Sequence, residues 1–161
     1  MKADQASFIE LSRELLGRGA LLRFRAYGSS MHPFIRNGDI LTIEPLKEKS
    51  PSVGDIIFYR GTDNTLTAHR LIKIENTDGN TILITKGDSH RYTDTPFKAE
   101  QVIGRVVRIE NQRKKLSLMK WPAGILDRFM AGLARGCYPN QERIIRNLGR
   151  VLWLIGGRRL K

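Results

Sequence analysis

Residues 66–88, LTAHRLIKIENTDGNTILITKGD, decide the fold that we predict for this chain. Two runs with strand-like composition, 66–75 and 81–86, flank a turn that contains the pair Asp78-Gly79. An Asp-Gly pair favours the positive φ angles of a tight β-hairpin, so the segment predicts two antiparallel strands. His69 stands inside the first run, on the same predicted strand face as Thr67 and Leu71.

Further short strands are predicted on both sides of this hairpin. The runs 21–27, 39–44, 55–60 and 101–110 have strand-like composition and are bounded by Gly, Asp, Asn and Pro. Many short, irregular strands predict a mainly β domain, a coiled sheet or open barrel rather than a regular sandwich. A helix is predicted over 5–17, where apolar residues recur at helical spacing before two glycines.

Charge divides the chain into two unequal parts. Residues 1–102 carry 14 Lys/Arg and 13 Asp/Glu, whereas residues 103–161 carry 14 Lys/Arg and only 3 Asp/Glu. With the strand pattern, this predicts a β domain with its N-terminal helix over 1–110 and a basic helical appendage over 111–161, built from two amphipathic helices. The excess of positive charge indicates an anionic partner.

The composition excludes several classes of protein. A chain of 161 residues with 40% hydrophobic residues suits one domain with a real core and not a disordered protein. The single cysteine, Cys137, allows no internal disulfide, and three widely spaced histidines predict neither a metal cluster nor a cofactor. With no visible signal peptide and no apolar run of about 18 residues, we expect a cytoplasmic or peripherally membrane-associated protein.

Candidate catalytic residues begin in the segment Gly28-Ser29-Ser30-Met31-His32-Pro33. Ser30, His69 and Asp88 supply, in chain order, the hydroxyl, the imidazole and the acid of an acyl-transfer site. Imidazole suits the role of base because its ordinary pKa is about 6.5. Asp94 is a candidate second acid. Each residue also has an ordinary explanation, as a turn serine, a strand histidine or a turn aspartate.

Several short motifs follow one another between residues 21 and 110. They are Gly28-Ser29-Ser30-Met31-His32-Pro33, Gly38-Asp39-Ile40, Val53-Gly54-Asp55-Ile56-Ile57-Phe58, His69-Arg70, and Thr85-Lys86-Gly87-Asp88 with Asp94. In this order they resemble the type I signal peptidase family, in the branch of the endoplasmic reticulum, archaea and spore-forming bacteria, where histidine replaces a lysine base. The resemblance implies the coiled β-sheet shared with the self-cleaving SOS repressors. It also implies a serine endopeptidase that cleaves an extended leader or precursor peptide after small residues.

The same resemblance assigns roles to individual residues. It implies that Ser30 is the nucleophile, His69 the general base, Asp88 the acid that orients it and Asp94 a supporting acid. The oxyanion is expected to meet backbone N–H groups, those of Ser30 and Gly28. Gly28 stands where the family often has a hydroxyl residue.

The substrate is expected to add as an extended strand beside residues 54–60. The residues predicted to contact it are Met31, Pro33, Ile57 and Phe58.

Other partners and functions follow from the basic region 111–161. Its predicted helices are expected either to lie on an anionic membrane surface or to pack on the β domain. Nucleic acid is a less favoured partner, because the basic residues lack interleaved aromatic residues and form no convincing helix-turn-helix. For the whole chain, the alternative to a peptidase is a catalytically inactive peptide-binding or regulatory module on the same fold.

Overall fold

The computed structural model describes residues 2–46, 50–111 and 115–117 of the 161-residue chain. This part contains one N-terminal α-helix and eight strands in a single antiparallel sheet, so the predicted mainly β class is confirmed. The predicted C-terminal helices lie outside the described residues, and the domain division at residue 110 stays a prediction. Within the described ranges, no helix is long and apolar enough to cross a membrane.

The sheet curls into an antiparallel half-barrel. Its strands are Leu22–Arg25 (β1), Ile40–Glu44 (β2), Ile56–Arg60 (β3), Leu66–Thr77 (β4), Asn80–Lys86 (β5), Phe97–Lys98 (β6), Val102–Glu110 (β7) and Lys115–Ser117 (β8). Their spatial order is β1-β2-β7-β3-β4-β5-β6, and β8 pairs with β7. The sequence pattern did not predict three short elements, namely β6, β8 and a 3₁₀ turn at Ala99–Gln101.

The hairpin of β4 and β5 forms as the sequence predicts. Asp78 and Gly79 have φ angles of 50° and 76°, and Thr77 pairs with Asn80 across the turn. Positive φ at both central residues matches the right-handed twist of the two strands, which explains the Asp-Gly pair. This turn fixes the register that carries His69 along β4.

The helix α1, Lys2–Gly17, packs on the sheet through one face. Ile9, Ser12 and Leu16 are buried at a spacing of three to four residues, which is the helical period predicted for this segment. The buried hydroxyl of Ser12 donates to the carbonyl of Phe8 at 2.6 Å, so no polar group of that side chain lacks a partner. The helix thereby covers one face of the half-barrel.

Strand β3 lies at the centre of the sheet, between β4 and β7. Ile57 and Phe58 are 0% and 1% exposed and belong to hydrophobic clusters on opposite faces of this strand. Both edges of β3 are already paired, so a peptide cannot add beside residues 54–60. The prediction that Ile57 and Phe58 contact substrate is therefore wrong. An apolar run without alternation marks a strand buried on both faces.

Candidate active site

Ser30 lies in a tight turn shortly after strand β1. The chain enters the turn through Gly28, whose φ of +100° favours glycine. His32 N–H then donates to the carbonyl of Ser29 at 3.0 Å. Met31 is 4% exposed and packs in the core, while Ser30 is half-buried. The backbone therefore holds the serine hydroxyl at the surface, on a turn that the core anchors.

The imidazole of His69 joins the serine to an aspartate. Its Nε2 lies 2.9 Å from Ser30 Oγ, and its Nδ1 lies 2.7 Å from Asp94 Oδ2. An ionised carboxylate only accepts hydrogen bonds, so Nδ1 carries the ring proton and the lone pair of Nε2 accepts from the serine hydroxyl. In this arrangement the imidazole can take the hydroxyl proton as the oxygen attacks a carbonyl.

Asp94 lies in the loop between β5 and β6, among several hydrogen-bond donors. Its Oδ2 also accepts from Thr85 Oγ1 at 2.7 Å, and the Tyr59 hydroxyl lies 3.2 Å away. Burial pushes the pKa of Asp94 upward, but hydrogen bonds from His69 and Thr85 outweigh it, and the pKa falls below its ordinary value. Burial raises the pKa of Tyr59, so this phenol stays neutral. The carboxylate beside the histidine is therefore ionised at neutral pH.

Asp88 does not take the place beside His69 that the sequence analysis expected. It forms a buried, two-pronged ion pair with Arg70, with distances of 2.8 Å from Nε to Oδ1 and 2.9 Å from Nη2 to Oδ2. The two side chains are 3% and 4% exposed. Consecutive residues of a strand point to opposite faces, so His69 and Arg70 reach different acids. The acid that is hydrogen-bonded to the histidine is Asp94, which the sequence predicted only as a supporting acid.

The loop after β5 holds the serine turn from the other side. Ser89 N–H donates to the carbonyl of Ser30 at 2.9 Å, and Ser89 Oγ lies 2.9 Å from the carbonyls of both Ser29 and Ser30. A Cβ on Gly87 would stand 2.7 Å from the Ser30 carbonyl oxygen, which is too close for any side chain. Glycine at this position therefore allows the two loops to touch.

The backbone N–H groups expected at the oxyanion differ in their availability. Gly28 N–H donates to Asn37 Oδ1 at 3.0 Å and is thus engaged. Among the described residues, nothing accepts from Ser30 N–H, so this group remains available. Of the remaining predicted substrate contacts, Met31 is buried in the core, which contradicts its prediction, whereas Pro33 is half-buried.

The sequence did not predict several residues that contact the serine turn, the histidine or one of the two aspartates. These are Tyr59, Arg70, Thr85, Ser89 and His90. Thr85 and Arg70 lie inside the motifs that carried the family resemblance. Strand alternation is the signal that could have placed Arg70 on the face of β4 opposite to His69. Nothing in the local sequence distinguishes Ser89 from an ordinary loop serine.

Two comparisons with known proteins agree with the resemblance seen in the motifs. The family model described as Peptidase S24-like matches residues 2–107. The signal peptidase complex catalytic subunit SEC11 of Lachancea thermotolerans is 32% identical over 77 residues, which are 46% of this chain and 45% of that protein. The match therefore spans less than half of that relative's length.

Proposed function

This chain belongs to the Peptidase S24-like family, and from that premise we propose that it is a serine endopeptidase of the signal peptidase type. Its substrate is an extended leader or precursor peptide. Ser30 is the nucleophile, His69 the general base and Asp94 the acid that orients the base. The observation that carries the proposal is a pair of hydrogen bonds made by His69. One joins it to Ser30 at 2.9 Å, and the other joins it to Asp94 at 2.7 Å.

The reaction proceeds by acyl transfer. Ser30 Oγ attacks the scissile carbonyl while its proton passes to His69 Nε2, and the Asp94 carboxylate stabilises the imidazolium. Ser30 N–H donates to the oxyanion of the tetrahedral intermediate. The imidazolium then gives its proton to the leaving amine, and a water molecule activated by the same base releases the acyl group.

The substrate strand pairs with β4 instead of β3. Residues 66–69 pair with β3 on one side, whereas β5 pairs with β4 only from Arg70 onward. Among the described residues, no loop hydrogen bond reaches 66–68 on the remaining edge. A peptide added there would run directly past His69, and its main chain would supply the hydrogen bonds.

Peptide cleavage tests the proposal. The full-length chain is incubated with a panel of extended peptides that carry small residues before varied cut sites, and products are identified by mass spectrometry. We expect cleavage by the parent chain. Ser30→Ala should lower the rate by at least about 10³-fold, because the nucleophile is lost.

The neighbouring serine supplies the matched control. Ser29→Ala should keep near-parental cleavage, because Ser29 contributes only its backbone carbonyl to the contact with Ser89. Cleavage by Ser30→Ala at the parental rate would contradict the assignment of the nucleophile. A parent chain that binds such peptides and cleaves none would instead support the inactive peptide-binding module.

The proposal includes a second partner, an anionic membrane surface, which binds the basic C-terminal part of the chain. Residues 103–161 carry 14 Lys/Arg against 3 Asp/Glu, and an anionic lipid surface attracts such a region. Co-sedimentation with vesicles should show binding to anionic lipid that weakens with salt, and no binding to zwitterionic lipid. Equal binding to both vesicle types would refute this partner.

A further inference from the structure

Two histidines and an aspartate converge at the candidate active site. The rings of His69 and His90 meet edge to face, with their centroids 5.4 Å apart and an interplanar angle of 85°. One ring nitrogen of each histidine and a carboxylate oxygen of Asp94 all lie within 4.8 Å of one another. The histidines are far apart in sequence, which is why their spacing predicted no metal cluster.

Backbone contacts hold His90 next to the catalytic histidine. Its N–H donates to the carbonyl of Gly87 at 2.9 Å, and its ring lies so close over that glycine that a Cβ there would be 2.9 Å from Nδ1. The adjacent residue, Ser89, is bonded to the Ser30 carbonyl. The loop thus presents a solvent-exposed imidazole beside the buried one.

We propose that His69, His90 and Asp94 bind a zinc ion that switches the active site off. Two imidazoles and a carboxylate, with water in the fourth position, form a donor set that suits Zn²⁺. Bonds of about 2.0–2.2 Å place tetrahedral ligand atoms about 3.3 Å apart, whereas the three donor atoms lie within 4.8 Å of one another. The donor atoms therefore have to shift by up to about 1.5 Å when the ion binds, and the exposed His90 side chain has room to do so.

The surroundings of the three ligands favour such a site. Thr85 donates to the Asp94 oxygen at 2.7 Å, and Tyr59 lies 3.2 Å from it. Outer contacts of this kind orient a metal-binding carboxylate. His69 is 6% exposed and held in the strand, whereas His90 is exposed and accessible to an ion from solvent.

Zinc binding and base catalysis exclude each other at His69. If Nε2 binds the ion, its lone pair cannot accept the proton of Ser30. If Nδ1 binds, the single ring proton must sit on Nε2, which then donates to the serine oxygen and cannot act as base. This inhibition rests on the proposed peptidase function, whereas zinc binding itself does not.

Isothermal titration calorimetry with Zn²⁺ tests the site directly. The full-length chain is used with the substitution Cys137→Ser, because a thiolate would compete for the metal. We expect one zinc ion per chain and an affinity at least about tenfold weaker for His90→Ala, since even an outer contact is worth that much. His32→Ala is the matched control, because His32 is exposed and two residues from Ser30 but outside the cluster.

Three outcomes of the zinc titration would contradict the proposed site. A parent chain without stoichiometric binding, an unchanged affinity in His90→Ala, or an equal loss in His32→Ala would each overturn the zinc site. Ser30→Ala should bind zinc like the parent, because the serine hydroxyl is not among the three ligands.

Peptide cleavage then tests inhibition. Zinc should stop cleavage by the parent chain, a chelator should restore it, and His90→Ala should need at least about tenfold more zinc, each chain being compared with its own metal-free rate. Zinc binding by a chain that cleaves no peptide would refute the proposed function and leave the metal site standing. Cleavage that saturating zinc does not slow would overturn the inhibition.

Discussion

Replacing Asp88 with alanine would leave the guanidinium of Arg70 buried without its carboxylate. The two side chains are 3% and 4% exposed and share hydrogen bonds of 2.8 Å and 2.9 Å. Removing one partner of a buried ion pair costs about 3–5 kcal/mol, because the other charge stays buried after its two hydrogen bonds to the carboxylate are lost. Domains are stable by about 5–15 kcal/mol, so we expect Asp88→Ala to lose a large part of its free energy of unfolding.

Urea denaturation followed by circular dichroism measures this loss. With a slope of about 2 kcal/mol per molar urea, the midpoint should fall by about 2 M. The double variant Arg70→Met/Asp88→Leu is the control, because it removes both charges and fills the space with apolar atoms. It should regain most of the lost stability.

Comparison with Asp94 makes the prediction decisive. Asp94→Asn should lower the rate of peptide cleavage by about 10³–10⁴-fold, because the amide no longer holds the required tautomer of His69. Its stability should change less than that of Asp88→Ala. If Asp88→Ala kept its stability within about 1 kcal/mol and lost cleavage as Asp94→Asn does, Asp88 would act on the histidine and the reasoning would be refuted.

Three further substitutions or conditions probe the groups around the site. Thr85→Val keeps the shape but removes the 2.7 Å hydrogen bond to Asp94, so kcat/KM should fall about tenfold, as expected for one bond to a charged group; steady-state kinetics would show whether it does. Gly87→Ala forces a Cβ to within 2.7 Å of the Ser30 carbonyl. Misplacing the nucleophile in this way should cost about 10²-fold in kcat, while a native circular dichroism spectrum would confirm the fold. Because its pKa is lowered from 3.8, Asp94 stabilises the fold above that pH and loses the contribution as the pH falls through the lower folded value. The stability difference between parent and Asp94→Asn, measured by urea titration, should therefore be larger at neutral pH than in strong acid, and a pH-independent difference would contradict the assigned cause.

The sequence predicted the local structure well where side-chain alternation and turn chemistry act together. The Asp78-Gly79 turn follows from local backbone preference, and the strands on either side of it follow from their side-chain pattern. The helix α1 follows from apolar residues that recur at helical spacing. The motif order also led to Ser30 and His69, which the structure brings within 2.9 Å of each other.

Local pattern failed where the answer depends on neighbouring strands. Ile57 and Phe58 stand in a plausible peptide-binding strand, but β3 has partners on both edges and clusters on both faces. The apolar run of β3 indicates burial on both faces, but β7, the strand that pairs with one of its edges, comes from a distant part of the sequence. Two-residue elements such as β6 carry too little pattern to be predicted.

By itself, the sequence determined a β domain with a histidine on one strand, a serine in a turn and two aspartates in the following loop. Only the tertiary structure decided which aspartate serves the histidine. His69 and Arg70 point to opposite faces of β4, so Asp94 reaches the first and Asp88 the second. The same folding of the 87–96 loop brings His90 to the site. Chain order fixes which groups are available, but strand alternation and loop packing fix which of them meet.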